Sequence, residues 1–285
     1  QRDQSPAEAG EELMVAQAAG GAVGASQLAV LGIDKNQVDI GRHIEFQPAE
    51  LAHAQHDQVA GLRLHQGHIG VQGQKTLCRG QPAGAAQALR HGVTRLDGAL
   101  VTHIHVDHTG GIDELRAYTD AQDVVLPIGA GEATADELRK RWEYAVDGRT
   151  APGAGIPALQ LVASDREVTI AGRSFQAIPI VHGKRPAHGW RSGGFAYLTD
   201  VSSVPTESRD LLGDLDLLIV SALRDLPHPT HQTVDEALEL IRAVAPRRAL
   251  LTHLDHDLDF EDLAARLPVG VAPAFDGLVV EVPAR

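Results

Sequence analysis

The stretch LVTHIHVDHTGG, residues 100–111, places His103, His105, Asp107 and His108 within six positions, after an apolar run and before two glycines. On an extended segment, residues two apart point the same way, so His103 and His105 face one side together. Asp107 and His108 fall where the chain turns, and Gly110 and Gly111 allow a tight approach there. Neutral imidazole and carboxylate are ligands for zinc, manganese and iron. Four such groups so close together are hard to explain as a solvated surface. The spacing therefore predicts one metal at His103 and His105 and a second beside it at Asp107 and His108. Four ligands do not close two sites, so others must arrive from distant sequence at strand ends facing the same edge.

Three stretches qualify. AIPIVHGK ends a β-type run at His182, FAYLTD ends one at Asp200, and ALLTH ends one at His253. An aspartate between two metals is useful, because its two oxygens can bridge them. Around these ends the chain alternates strand and helix signals. DGALVTHIH, DVVLPIGA, LQLVAS, REVTIAG, RSFQAIPIVH, LDLLIVSAL and GLVVEVP read as strands. GGIDELRAYTD, TADELRKRWEYAV, TVDEALELIRAV and DFEDLAARLP read as helices, the second capped by Thr134 or Asp136.

Residues 1–86 read differently. They hold 12 of the 17 glutamines and only one aromatic residue, Phe46, and they show no turn-bounded strands. Gly20, Gly21 and Gly24 interrupt the one helix-like run. So little aromatic and β-branched material cannot offset much ordering entropy. The segment is expected to be loosely packed or irregular, either text from a wrong reading frame or a disordered extension. The structured domain is expected over residues 87–285.

Composition excludes several classes. A net charge of −13 opposes general nucleic-acid binding. No run approaches the 18 apolar residues of a membrane span. The single cysteine, Cys78, excludes an internal disulfide framework and fits a reducing compartment. The acidic opening QRDQSPAEAGEEL lacks the chemistry of a secretory signal. A cytoplasmic location is expected, and a homodimer is compatible.

The stretch THIHVDHTGG, with the later His182, Asp200 and His253, resembles the metallo-β-lactamase superfamily. That resemblance implies an α/β fold, the four-layer αβ/βα sandwich, with a dimetal site at one edge of two packed sheets. It implies that His103, His105 and His182 hold one divalent ion, that Asp107, His108 and His253 hold the other, and that Asp200 bridges them. HGKRPAHGWRSGGFAYLTDVSSVP and ALRDLPHPTHQTVDEAL are similar to the phosphoribosyl cyclic phosphodiesterase group. In that group a histidine placed like His231 handles the phosphate or leaving group, and one placed like His256 serves a structural zinc with N-terminal cysteines. The glycine-rich turn, cysteine cluster and aspartate strand that open such chains are missing here, so His256 has no visible thiol partners and the first strands are expected to be missing or non-native.

The implied reaction is hydrolysis of a small, cyclic-type phosphodiester. Two zinc or manganese ions acidify the attacking water. Asp107 and His231 are the catalytic candidates, with His231 protonating the leaving group. His188 and His228 read as ordinary loop residues. Two alternatives stand beside this one: a thioesterase- or lactonase-type hydrolase on the same fold, and a truncated, non-catalytic relative.

Overall fold

The computed structural model describes residues 93–275 and 278–283, together with the backbone of three strands at 13–18, 29–32 and 68–71. The strands are β1 (Leu13–Ala18), β2 (Ala29–Gly32), β3 (His68–Val71), β4 (Gly98–Val101), β5 (Leu126–Ala130), β6 (Leu159–Ala163), β7 (Glu167–Ile170), β8 (Arg173–His182), β9 (Arg185–Ser192), β10 (Phe195–Leu198), β11 (Leu217–Ser221), β12 (Arg248–Thr252), β13 (Val271–Pro273) and β14 (Leu278–Pro283). The helices are α1 (Val106–Thr109), α2 (Arg116–Gln122), α3 (Glu132–Arg141), α4 (Glu143–Val146), α5 (Thr206–Asp210), α6 (Val234–Val244) and α7 (Phe260–Arg266).

Among the described residues, the strands form two seven-stranded sheets. The orders are β14-β1-β3-β2-β4-β5-β6 and β13-β12-β11-β10-β9-β8-β7. Three apolar layers set the architecture. Between the sheets lie Leu100, Ile170, Phe175, Trp190, Phe195, Tyr197, Leu217, Ile219 and Leu250. Outside the second sheet, Leu198, Leu218, Val220 and Leu251 pack on Val234, Ala237 and Ile241 of α6 and Leu263 of α7. Outside the first, Ala99, Val101, Ile128 and Ala130 pack on Ala135 and Leu138 of α3 and on Leu115. Helix, sheet, sheet and helix therefore stack as the four-layer sandwich that the family resemblance implies.

The layering explains why LLIVS and FAYL read as unbroken apolar runs. Both faces of β10 and β11 are covered, so alternation disappears and every residue is buried. Where one face is exposed the alternation returns, as in Glu167–Ile170. The strands pair in parallel from β10 through β13, which sends the C-terminal ends of β10, β11 and β12 to one edge.

Several local expectations are corrected. The helix from 132 begins at Gly131, ahead of the anticipated caps Thr134 and Asp136, and it breaks at Trp142, whose backbone is non-helical. The strand read as running into Asp200 stops at Leu198. Strand β9, RPAHGWRS, has no β-branched residue and was not legible in the sequence. It forms because the turn at Gly183 folds it back along β8, with residues 185–191 paired to 176–182. The first sheet also takes β1, β2 and β3 from the segment that shows no strand signal, and β1 lies between β14 and β3. Short stretches rich in alanine and glycine are specified by the strands they pair with more than by their own periodicity. The rest of residues 1–86, and with it the expectation of irregular packing, lies outside the described residues.

Helix α6 carries a complete capping box. Thr233 Oγ1 accepts from Glu236 N, and the Glu236 carboxylate accepts from Thr233 N at 2.7 Å. Thr233→Ala should lower the unfolding free energy by about 1 kcal/mol, read as a shift of the urea midpoint with unchanged slope.

Candidate metal centre

Strand β4 is buried along its whole length and ends one residue before Thr102. His103 follows, fully buried, and His105 occupies the N-cap of α1 in extended conformation. The short helix closes on His105, whose carbonyl accepts from His108 N at 3.0 Å and Thr109 N at 3.1 Å. This turn brings Asp107 and His108 back toward the two preceding histidines.

The second sheet supplies the rest. His182 is the last residue of β8, Asp200 lies just past β10, and His253 is the first residue after β12. Asp200 and His253 both adopt left-handed backbone conformations, with φ of +57° and +58°. Side-chain-bearing residues adopt this region at a cost of roughly 1–3 kcal/mol, and such strain concentrates at functional sites. Turns of this kind swing both side chains over the sheet edge.

The donors fall into two groups that share Asp200. In the first, His103 Nε2 is 3.0 Å from His105 Nδ1, and His182 Nε2 is 3.2 Å from the same atom. Asp200 Oδ2 lies 3.6 Å from His103 Nε2 and 3.7 Å from His182 Nε2. In the second, His108 Nε2 is 3.2 Å from Asp107 Oδ2 and 3.3 Å from Asp200 Oδ2. His253 Nε2 is 3.2 Å from Asp200 Oδ1. Donors about 2.0–2.2 Å from a tetrahedral ion sit about 3.3–3.6 Å apart. The observed spacings of 3.0–3.7 Å bracket that range; Asp200 Oδ2 faces His103, His182 and His108, and Oδ1 faces His253.

The electrostatics ask for positive charge at the same place. Burial alone would raise the Asp200 carboxyl, but the charges of His108 and His253 hold it well below the usual carboxylate range. Burial would lower His108, yet Asp200 and Asp107 push it up to about 9. His108 Nε2 is nevertheless a buried nitrogen without a well-formed hydrogen bond. His103 goes the other way, lowered to about 2 by burial and by the charge of His108. A divalent cation satisfies both demands, since it neutralises the carboxylates and takes the lone pairs of unprotonated imidazoles.

A pocket of about 660 Å³ opens onto the site. His105, Val106, Asp107, His182, Asp200 and His253 line it, together with Lys184, Arg185, Thr230 and His231. His231 stacks on His253 with ring centroids 4.9 Å apart and meets His182 edge-on at the same separation. His228 lies behind it, 4.9 Å from the His231 ring. Gly183, at φ +60°, lets β8 turn beneath the loop, where an added Cβ would come within 2.9 Å of Thr230 Cγ2. His182 Nδ1 then donates to Thr230 O at 3.0 Å, which ties a candidate ligand to the loop that carries His231.

The remaining histidines separate cleanly. His188 does not line the pocket; its ring packs beside Trp190, and its Nε2 lies 3.7 Å from Asp165. His256 is exposed between Asp255 and Asp257 and belongs to neither donor group. Cys78, the only cysteine, lies outside the described residues. Supporting residues that the sequence did not single out include Thr102, whose hydroxyl reaches two imidazoles, and Gln232. Ser221 Oγ accepts from Val201 N at 3.0 Å and Ser221 O accepts from Gln232 Nε2 at 3.0 Å, so the Asp200 turn is fastened to the His231 loop.

The fold and the two candidate donor groups are those of the metallo-β-lactamase class. A family model for the beta-lactamase superfamily domain matches residues 69–254, and the chain belongs to that superfamily. It is 32% identical to a crystal structure described as a new diphosphatase from the PhnP family, with a TM-score of 0.64 over 71% of this chain and 78% of that one. The metallo-β-lactamase fold protein YhfI from Bacillus subtilis shares the fold at 20% identity and a TM-score of 0.51, over 64% of this chain and 76% of that one. A Porphyromonas gingivalis protein named octanoyltransferase is 32% identical over 210 residues, which make up 72% of this chain. The chain spans only 42% of that relative's length.

Elemental analysis checks the donor assignment. Asp200→Ala should lose metal from both groups, and Asp107→Ala from the second alone. Wild-type stoichiometry in both variants would refute it.

The metal-free protein should also be acid-sensitive. Burial lowers His103 to about 2 and His231 to about 4, against an ordinary 6.5. Between those values and 6.5 only the unfolded chain takes up these protons, so the contribution of these two groups to stability is full above pH 6.5 and falls as pH drops. Asp200, lowered as well, acts in the same direction at more acid pH. His108, raised to about 9, acts only on the other side: its contribution is full below pH 6.5 and is lost as pH rises toward 9. After chelation, urea titrations should show a loss approaching about 1.4 kcal/mol per pH unit for each proton. A flat profile from pH 6.5 to 5 would contradict it.

Proposed function

We propose that this chain hydrolyses a small phosphodiester, with two divalent ions, zinc or manganese, held by the donor groups that meet at Asp200. One observation carries the reading: a single buried carboxylate belongs to both groups. The likeness to a PhnP-family diphosphatase over most of both chains supports phosphorus as the centre attacked.

Bound divalent ions supply Lewis acidity toward the non-bridging oxygens and acidify water near neutral pH. The chain's own groups do the rest. His103, His105 and His182 form one donor group with Asp200, and Asp107, His108 and His253 form the other. Asp107 is the more open of the two pocket carboxylates, with its side chain 35% exposed against 2% for Asp200. In the metal-free protein its carboxyl lies below the ordinary carboxylate value, since the neighbouring His108, 3.2 Å away, outweighs the effect of burial. That places a proton acceptor and orienting group where water and substrate meet.

His231 faces the same space from the 228–231 loop. Burial pushes it down to about 4, so it is neutral in the resting pocket. A phosphoryl anion beside it favours the imidazolium, and the ring then donates its proton to the departing alkoxide. His231→Ala should slow hydrolysis of alkyl phosphodiesters by roughly 10²–10⁴-fold while keeping its metals. The loss should shrink when the leaving group is p-nitrophenolate, which needs no proton. An equal loss for good and poor leaving groups would remove His231 from this role.

A second reading, thioester hydrolysis, has one observation in its favour, the likeness to a protein named octanoyltransferase. Assaying bis-p-nitrophenyl phosphate and an octanoyl thioester side by side with the zinc- and manganese-loaded protein separates the two. Turnover of the phosphodiester alone supports the proposal, and turnover of the thioester alone overturns it.

A further inference from the structure

We infer that Thr102 is a positioning residue shared by the two donor groups, and that its single hydroxyl sets the tautomer and orientation of one histidine from each. The inference rests on the two-ion reading above and goes beyond it, because Thr102 offers no ligand to either group.

Thr102 is buried, one residue past β4 and directly before the histidine cluster. Its Oγ1 lies 3.1 Å from His103 Nδ1 and 3.4 Å from His108 Nδ1. The opposite nitrogen of each ring, Nε2, is the one that faces Asp200. A neutral imidazole that presents the Nε2 lone pair to a cation must carry its proton on Nδ1. Both Nδ1–H groups therefore point at the same hydroxyl oxygen, which has two lone pairs and can accept both. His103 belongs to the first donor group and His108 to the second.

The backbone of Thr102 fixes where that oxygen sits. Its carbonyl accepts from His188 N at 3.0 Å, a bond from β9 of the second sheet to the residue that ends the first sheet's contribution. The hydroxyl is thus anchored at the seam between the sheets, behind the two rings, while Asp200 joins the same rings in front. Valine has the same shape but accepts nothing, so it would leave two buried N–H groups without partners and two rings free to turn or change tautomer. Serine keeps the acceptor.

The test strips the protein of metal and titrates zinc against a chromogenic chelator, reading the two stepwise dissociation constants. Thr102→Val should raise both constants, by roughly 10–100-fold each, the usual scale for loss of a hydrogen bond behind a metal ligand. Thr102→Ser should restore both to within a few-fold of wild type. A Thr102→Val protein with wild-type constants, or weakened at one step only, overturns the inference, as does a serine variant that behaves like valine. A wild type that takes up fewer than two ions refutes the two-ion reading and this inference with it. Should Thr102→Val fail to fold, nitrogen NMR of histidine-labelled, zinc-loaded wild type decides. Slowly exchanging Nδ1–H signals from both His103 and His108 support the inference, and a proton on Nε2 of either ring overturns it.

Discussion

The interaction on which the site depends is the burial of the Asp200 carboxylate among imidazoles. An isolated ionised carboxylate is too costly to take out of water without compensation. Here compensation comes from both sides at once, from His103 and His182 through one oxygen and from His253 through the other, with His108 beside them. The arrangement is costly without a cation, because protons must then stand in for it and they suit the rings unequally. His108 is driven to hold one, and His103 is driven to refuse one. A cation of higher valence than a proton would resolve that asymmetry on neighbouring rings.

The fold delivers these groups by strand geometry. Parallel pairing of β10, β11 and β12 sends their C-terminal ends to one edge, which is where open α/β sheets generally place chemistry. The left-handed turns at Asp200 and His253 then lift the side chains off their strands. Behind them a polar lattice runs from Val201 N to Ser221, to Gln232 and on to the loop of His231. The pocket-lining loop of His231 and the candidate ligands are therefore held by one network, and the loop is tied to His182 through Thr230.

Much of this was legible in the sequence because chemistry and periodicity coincide there. His103, His105, Asp107 and His108 lie too close together for a bland explanation, and His182, Asp200 and His253 each close an apolar run. The runs LLIVS and FAYL were legible as strands, since layers on both faces make them continuously apolar. Other parts were opaque for physical reasons. RPAHGWRS has no strand signature because pairing with β8 specifies it. The break at Trp142 follows from local backbone geometry that no helix pattern encodes. Thr102 was hidden because a lone threonine at a strand end carries no pattern; only the convergence of two rings on its oxygen gives it meaning. The strands drawn from residues 13–71 were hidden in the same way, in text whose composition argues for irregular chain.

The ligand donors come from opposite halves of the molecule. His103, His105, Asp107 and His108 follow the first sheet, and His182, Asp200 and His253 end strands of the second. Ions seated between them would close covalent-like loops many tens of residues long, in a chain whose single cysteine cannot form an internal disulfide. Closing long loops removes far more freedom from the unfolded chain than from the folded one. The metal centre would thus act as this protein's cross-link, with sheet-to-sheet cohesion depending on the supply of metal as other proteins' cohesion depends on an oxidising environment.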